Sequence, residues 1–226
     1  NSCTLEGNGF SLPLNFLWFK RRDSARNFSN GLLNSETGIR KGLISNRTDA
    51  EFTSSGTNDL QSFDNDGFTI GQSNQFSGND NGGTFVAWSW KAGGAAVSNT
   101  DGSITSSVSA APDAGFSIAT WTGTGSAGAT VGHGLGAVPD VMIVKKRAGG
   151  TAYGWAVWHK DANDNSTDFL QLDSTAAQAD QDMWNDTDPT STVLSLGANN
   201  YTNYPSGATY VGYFFKGIDG YSAFGS

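Results

Sequence analysis

The feature that most constrains this fold is a stretch of alternating sequence that occurs twice. Residues 84–91 read Thr-Phe-Val-Ala-Trp-Ser-Trp-Lys, and residues 209–216 read Thr-Tyr-Val-Gly-Tyr-Phe-Phe-Lys, 125 positions later. In both copies β-branched and aromatic residues recur at every second position, which is typical of a strand with a buried face. The sequence therefore predicts the same strand at the centre of two core units. We expect these core aromatic side chains: Phe85, Trp88, Trp90 and Trp121.

The repeat extends well beyond this strand. The further matches are residues 7–10 with 132–135, residues 16–22 with 141–147, and residues 68–71 with 194–197 after one residue of slip. Collinear matches at a fixed offset indicate a duplicated module.

Composition places the duplicated module in the all-β class. Among 226 residues there are 30 glycines and 5 prolines, and Asn, Ser, Thr and Asp crowd the segments between apolar runs. That is typical of short strands joined by tight turns. We expect two related antiparallel β-sandwich-like units in tandem, residues 1–91 and 115–226, joined by a Gly/Ala/Ser-rich linker at 92–114. Only residues 174–184 favour a short helix.

The two units begin out of step. The second opens with a strand at residues 115–121, whose equivalent in the first would precede residue 1. The chain closes on residues 220–226, a similar pattern of Gly, aromatic and Ser. Three explanations stay open: the chain is a piece of a longer array, the closing strand of one subunit completes the first unit of the next, or that strand pairs within its own chain. The residues for strand addition are Tyr221, Ser222, Ala223 and Phe224.

Charge excludes some partners. The net charge is −8 and the pI is near 4.5, so we expect no nucleic-acid partner. The basic clusters at residues 20–22 and 145–147 are interpreted as solvated strand ends. No apolar run is long enough to cross a bilayer, and the single Cys3 excludes an internal disulfide framework.

The sequence favours at most one kind of metal site. With only two histidines and one cysteine, a zinc cluster within one chain is excluded. Calcium is a weak candidate, because oxygen-bearing side chains alternate in one turn. Its candidate ligands are Asp161, Asn163, Asn165 and Asp168. No other cofactor is expected.

Aromatic side chains outside the predicted core suggest either a sugar platform or a subunit interface. Trp155 and Trp158 fall on opposite faces of one strand, so we expect at least one of them to be exposed or at an interface. Asn-rich loops supply the remaining candidates, Trp184, Tyr201 and Tyr204. Both kinds of site favour exposed Tyr and Trp.

A hydrolytic site is the weaker alternative. Four carboxylates surround Trp184, namely Asp180, Asp182, Asp186 and Asp188. A glycosidase needs two carboxyl groups held at a set separation of roughly 5–9 Å. A solvated acidic loop is the preferred interpretation.

Several segments together resemble repeat modules in structural proteins of marine bacteriophages. They are Gly-Phe-Ser-Ile at residue 115, Gly-His-Gly-Leu-Gly at 132, Gly-Trp-Ala-Val-Trp-His at 154, and the strands that end in Lys-Lys-Arg and in Tyr-Val-Gly-Tyr-Phe-Phe. The resemblance spans residues 7–91 and 115–226, and its motifs are structural turns and strands. It implies a tail-fibre or virion protein.

The expected function follows from these observations. We expect a non-enzymatic structural component of a phage virion or similar extracellular assembly, held by β contacts between copies or with other virion proteins. The alternative is a carbohydrate-binding module that recognises a host surface polysaccharide. A polysaccharide depolymerase is the weaker alternative.

Overall fold

The structure is a computed structural model that describes most of the chain. The described residues are 2–4, 14–23, 29–72, 75–76, 78–162 and 167–225. Within them the chain forms short β strands and a single turn of 3-10 helix at Pro112–Ala114. The all-β, antiparallel fold predicted from the sequence is confirmed. Of the matched repeats, residues 7–10 lie outside the described part.

The leading half, up to residue 91, contributes eight strands. They are β1 (Ser2–Thr4), β2 (Phe16–Arg21), β3 (Gly31–Asn34), β4 (Lys41–Ile44), β5 (Phe52–Thr53), β6 (Leu60–Asp64), β7 (Gly67–Ile70) and β8 (Phe85–Trp90).

The trailing half, from residue 92, contributes the other ten. They are β9 (Val97–Asn99), β10 (Ser106–Ala111), β11 (Phe116–Thr122), β12 (Ala129–Gly132), β13 (Val141–Ala148), β14 (Trp155–His159), β15 (Asp168–Gln171), β16 (Ala179–Asp180), β17 (Val193–Leu196) and β18 (Thr209–Phe215).

These strands form four antiparallel sheets. The leading half holds a three-stranded sheet in the order β1-β7-β6 and a five-stranded sheet in the order β5-β4-β3-β2-β8. The trailing half holds an eight-stranded sheet in the order β16-β15-β14-β13-β18-β11-β10-β9 and the pair β12-β17. The order β3-β2-β8 in one half matches β14-β13-β18 in the other.

The register of these matching ladders is also the same. Phe16 pairs with Trp90 and with Asn34. At positions 125 residues later, Val141 pairs with Phe215 and with His159. Because a one-residue slip would move every side chain to the opposite face, equal register means that equivalent residues face equivalent sides. The division into separable tandem units stays a prediction.

Three hydrophobic clusters show that the sheets are stacked. Leu17 and Phe19 of β2 pack with residues of the three-stranded sheet. The alternate residue Phe16 packs with Tyr213 and Phe116 of the eight-stranded sheet. A third cluster fills the space between that sheet and the β12-β17 pair. Both large sheets are therefore covered on both faces, in a four-layer stack.

Two expectations about individual segments are wrong. Residues 92–114, predicted as a linker, carry β9 and β10, and β10 pairs with β11 from Ser107 to Ala111. Residues 174–184 form no helix; they contain the short strand β16 followed by a turn. The four polar residues Asp180, Gln181, Gln178 and Asp182 are exposed there, so no apolar stripe is available to hold a helix against the core.

No helix in the described residues has the length and apolar character needed to cross a membrane.

Candidate assembly interface

The candidate site is the outer edge of β8. In the trailing half the equivalent strand β18 lies between β13 and β11. In the leading half β8 pairs with β2, and among the described residues no strand occupies the side where β11 would lie. The open position in the five-stranded sheet is therefore the one that the opening strand fills in the other half.

The direction of each backbone group on β8 follows from the ladder. The Arg22 amide donates to the Thr84 carbonyl at 2.8 Å. Since hydrogen-bonding alternates along an antiparallel pair, the backbone groups of Val86 and Trp88 face β2, and those of Ala87 face outward. The counterpart of this pattern is visible at β18, where the Lys216 amide donates to the Gly115 carbonyl of the neighbouring segment at 2.8 Å.

The edge is apolar and carries no charge along its length. The strand reads Phe-Val-Ala-Trp-Ser-Trp, without Lys, Glu or Pro. Proteins usually blunt an exposed edge with charge, proline or a bulge, because unpaired amides and carbonyls otherwise template pairing with another strand. None of those devices is present in β8, so the edge is chemically competent to accept a strand.

Trp88 is the side chain that marks this edge. It is 46% exposed, whereas its counterpart Tyr213 is completely buried. Its ring meets that of Trp18 edge to face, with centroids 6.3 Å apart. Trp88 was predicted to be core, and that prediction is wrong because no neighbouring strand covers this end of the sheet in the described residues. Phe85 and Trp90 are partly buried and Trp121 is buried.

Ser89, next to Trp88, has a buried hydroxyl without a hydrogen-bond partner among the described residues. A buried polar atom left unpaired costs roughly 1–3 kcal/mol. The Ser89 side chain lies on the face of β8 opposite to Trp88. An incoming strand with a hydroxyl at the matching position would supply the missing partner.

The closing segment, residues 220–225, folds back on its own chain. Ile218 and Ser222 form one antiparallel bridge, in which the Ile218 amide donates to the Ser222 carbonyl at 3.0 Å. Phe224 packs on Phe215, with ring centroids 6.0 Å apart. Tyr221 is 77% exposed, Ala223 is also exposed, and Ser222 is partly buried.

The aromatic candidates for a sugar platform or a subunit interface do not gather on one surface. Trp155 is buried between the two large sheets, where its Nε1 donates to the Ile44 carbonyl at 3.0 Å. Trp158 is buried on the opposite face of the eight-stranded sheet. Because the two residues lie on opposite faces of one strand, the sequence predicts that one of them is exposed or at an interface. The eight-stranded sheet is, however, covered on both faces. Both side chains therefore serve the core.

The other platform candidates do not gather either. Trp184 is fully buried, and its Nε1 has no partner among the described residues. Tyr201 is partly buried, meets Phe169 edge to face, and accepts a hydrogen bond from Gln171. Tyr204 is exposed. One exposed ring does not make a sugar platform.

The calcium candidates are only partly described. Asn163 and Asn165 lie outside the described residues. Asp161 follows the end of β14, and Asp168 begins β15, where its carboxylate accepts a hydrogen bond from Gln178. Within the described part of the chain, no three His, Cys, Asp or Glu side chains come together in a way that could hold a metal ion. Asp180, Asp182, Asp186 and Asp188 are all exposed.

In the second basic cluster Lys145 and Lys146 are buried and Arg147 is partly buried, so the interpretation as a solvated strand end is wrong. The Lys145 ammonium donates to the carbonyls of Thr48 at 3.1 Å, Lys146 at 3.2 Å and Tyr153 at 2.5 Å. Burial lowers the pKa of Lys145 to about 8. The Arg147 guanidinium donates two hydrogen bonds to the Glu51 carboxylate, of 2.7 and 3.0 Å. These contacts join the two halves.

No signal in the composition marks this junction. Lys145 and Arg147 reach residues about one hundred positions earlier, in the loop after β4. The equivalent Lys20 is exposed and donates to Asn30 instead. The repeat alone therefore suggests equal environments for Lys20 and Lys145, whereas the stacking of the sheets buries only Lys145.

The fold and its edge define a class: an all-β protein of stacked antiparallel sheets in which one central strand of the repeat lacks the neighbour that its counterpart has, within the described residues. The chain belongs to a family described as a domain of unknown function, DUF7483, whose sequence pattern matches residues 2–226. Neither a curated protein nor a solved structure matches the chain.

Proposed function

We propose that this protein is a non-enzymatic structural component of an extracellular assembly, held together by β contacts between subunits. The open edge of β8 carries the proposal. It is six residues long, uncharged and contains a half-exposed tryptophan, Trp88. A strand of this kind gains main-chain hydrogen bonds and apolar contact when another strand adds to it.

The particular assembly we propose is a phage virion, with the protein as part of a tail fibre or another appendage. The assignment to a phage virion rests on the resemblance of the sequence to repeat modules in structural proteins of marine bacteriophages. The stacked sheets support it physically, because two large sheets buried on both faces make a rigid body suited to bearing load in an array.

The test is the oligomeric state of the chain 1–226, measured by light scattering after gel filtration over a range of concentrations. We expect a multiple of the 23.7 kDa chain mass. Trp88→Lys should shift the population to the monomer, since it places a charge at the contact. Ala87→Pro should do the same, because Ala87 directs its amide outward and proline cannot donate there.

Ile39→Lys is the matched control, since Ile39 is equally exposed but lies in the turn between β3 and β4. This variant should leave the number of chains in the oligomer unchanged. Circular dichroism of each variant establishes whether it folds. If the Ala87→Pro variant does not fold, Trp88→Lys still tests the proposal. A folded wild-type chain that stays monomeric at every concentration would contradict the proposal.

A further inference from the structure

We infer that the edge of β8 is an acceptor site for residues 220–225 of a second copy of this chain. The inference rests on the proposed function and names the partner and the register of the contact. Its template is within the molecule, because β11 already occupies the corresponding edge of β18 in antiparallel register.

The closing segment resembles β11 in sequence and at its first residue in conformation. Residues 220–222 read Gly-Tyr-Ser, and residues 115–117 read Gly-Phe-Ser. Gly115 and Gly220 both adopt a left-handed backbone, with φ of 65° and 73°. Glycine is the residue that reaches this region without a steric cost. Both segments therefore begin at a glycine with the same left-handed backbone conformation.

Transfer of the β11–β18 register onto β8 gives defined pairs. In the template Phe116 lies opposite Phe215, and Ile118 lies opposite Tyr213. A shift of β18 by 125 positions onto β8, with Gly220 in the place of Gly115, puts Tyr221 opposite Trp90. Continuing along the ladder, the pairs are Ser222 with Ser89, Ala223 with Trp88, and Phe224 with Ala87.

These pairs are complementary in size and polarity. The small Ala223 faces the large, exposed Trp88, and the large Phe224 faces the small Ala87. Ser222 places a hydroxyl beside that of Ser89, which is buried and lacks a partner among the described residues. Cross-strand pairs of this kind contribute to sheet stability, and Ser hydroxyls in such pairs hydrogen-bond.

The exchange replaces few contacts within the donor chain. Residues 220–225 form one antiparallel bridge there, Tyr221 and Ser222 donate their amides to the Ile218 carbonyl, and the Ser222 hydroxyl accepts from the Ile218 amide. Phe224 contacts the edge of the shared core at Phe215. The large exposed ring of Tyr221 would be covered by Trp90 of the acceptor. Since donor and acceptor are different surfaces, the contact is head-to-tail, and it builds either a closed ring or an open filament.

The experiment is a disulfide test between two differently tagged chains, both with Cys3→Ser. One carries Trp88→Cys and the other Ala223→Cys. In the proposed register these residues form a non-hydrogen-bonded pair, whose Cα atoms lie about 4.5 Å apart, within the range for a disulfide. On mild oxidation we expect a disulfide heterodimer that carries both tags. The control chain with Ala87→Cys places its thiol on the opposite face and should give at least tenfold less heterodimer with Ala223→Cys.

A second arm removes the donor. The chain without residues 220–226 should lose self-association, and a synthetic peptide of residues 217–226 should bind it, whereas a scrambled peptide should not. Disulfide dimers between two Trp88→Cys chains, with no mixed dimer, would overturn the inference in favour of edge-to-edge pairing. Association that persists without residues 220–226 would overturn it and leave the proposed function standing. A wild-type chain that does not associate at all would overturn both the inference and the proposed function.

Discussion

The Asn34 side-chain amide donates a hydrogen bond of 2.9 Å to the Tyr213 hydroxyl, across 179 residues of sequence and in the buried space between the two large sheets. Burial raises the pKa of the Tyr213 hydroxyl above its ordinary value, because the phenolate would be poorly solvated there. The pair is one of the polar contacts that fix how the leading half lies on the trailing half.

Tyr213→Phe should destabilise the fold by about 1–2 kcal/mol, because it leaves a buried amide donor without its acceptor. Urea unfolding followed by tryptophan fluorescence measures this change. Tyr204→Phe is the control, since Tyr204 is exposed, and it should change the free energy of unfolding by less than about 0.5 kcal/mol. Equal effects of the two substitutions would contradict the assigned role.

Lys145→Met should destabilise the fold by about 1–3 kcal/mol, since three carbonyls lose a donor. Lys20→Met, the change at the exposed counterpart, should have less than about 0.5 kcal/mol of effect. The lowered pKa of Lys145 also predicts how the stability of the fold changes with pH. Between the folded value of about 8 and the ordinary 10.5 the unfolded chain holds more protons, so Lys145 makes the fold more stable as the pH rises through that window.

His133 should make the fold sensitive to acid. Its Nε2 lies 3.1 Å from the Thr190 carbonyl and its Nδ1 accepts from the Leu135 amide at 3.2 Å, so the buried ring is neutral with the proton on Nε2. Burial lowers its pKa below the ordinary 6.5. The unfolded chain therefore takes up a proton first, and stability is lost as the pH falls below about 6.5. A tenfold difference in proton affinity between the two states corresponds to about 1.4 kcal/mol.

Unfolding free energies measured from pH 7.5 to 5 check this prediction. His133→Gln removes the titrating group, so the slope of stability against pH should become shallower in this range. A wild-type slope in the His133 variant would show that other groups cause the acid sensitivity.

Two glycines at equivalent strand ends should tolerate no side chain. A Cβ on Gly71, after β7, would lie 1.7 Å from the Thr57 carbonyl oxygen, and one on Gly197, after β17, would lie 2.1 Å from the Asp182 carbonyl oxygen. Both neighbours are backbone, which cannot move cheaply. Gly71→Ala and Gly197→Ala should each cost about 3 kcal/mol or more.

Gly56→Ala is the control for these two substitutions. Gly56 has open space around it and a φ of 64°, so alanine there meets only the left-handed strain of about 1–2 kcal/mol. Thermal and urea unfolding rank the three variants. A cost at Gly71 no larger than at Gly56 would mean that the close approach to Thr57 is absent.

The sequence predicted the strands and their faces well because both follow from local alternation. β2, β8, β13 and β18 all lie where the repeat placed them. Alternation with period two is set by the backbone itself, so it survives without tertiary information.

Burial was harder to predict because it depends on the stacking of sheets. Trp155 and Trp158 point to opposite faces, and parity alone cannot show that both faces are covered. The same stacking buries Lys145 while its counterpart Lys20 stays exposed. At residues 92–114, the Gly-, Ala- and Ser-rich composition concealed β9 and β10, whose small side chains give little alternation of hydrophobicity.

The central claim is that β8 receives a strand when copies associate, and amide hydrogen exchange at single-residue resolution tests it most directly. The Ala87 and Ser89 amides face outward, whereas those of Val86 and Trp88 face β2 and serve as the internal reference. The account predicts that Ala87 and Ser89 exchange rapidly in dilute chains and become protected at least tenfold at concentrations where copies associate. Associated chains in which both amides still exchange at the dilute rate would contradict it.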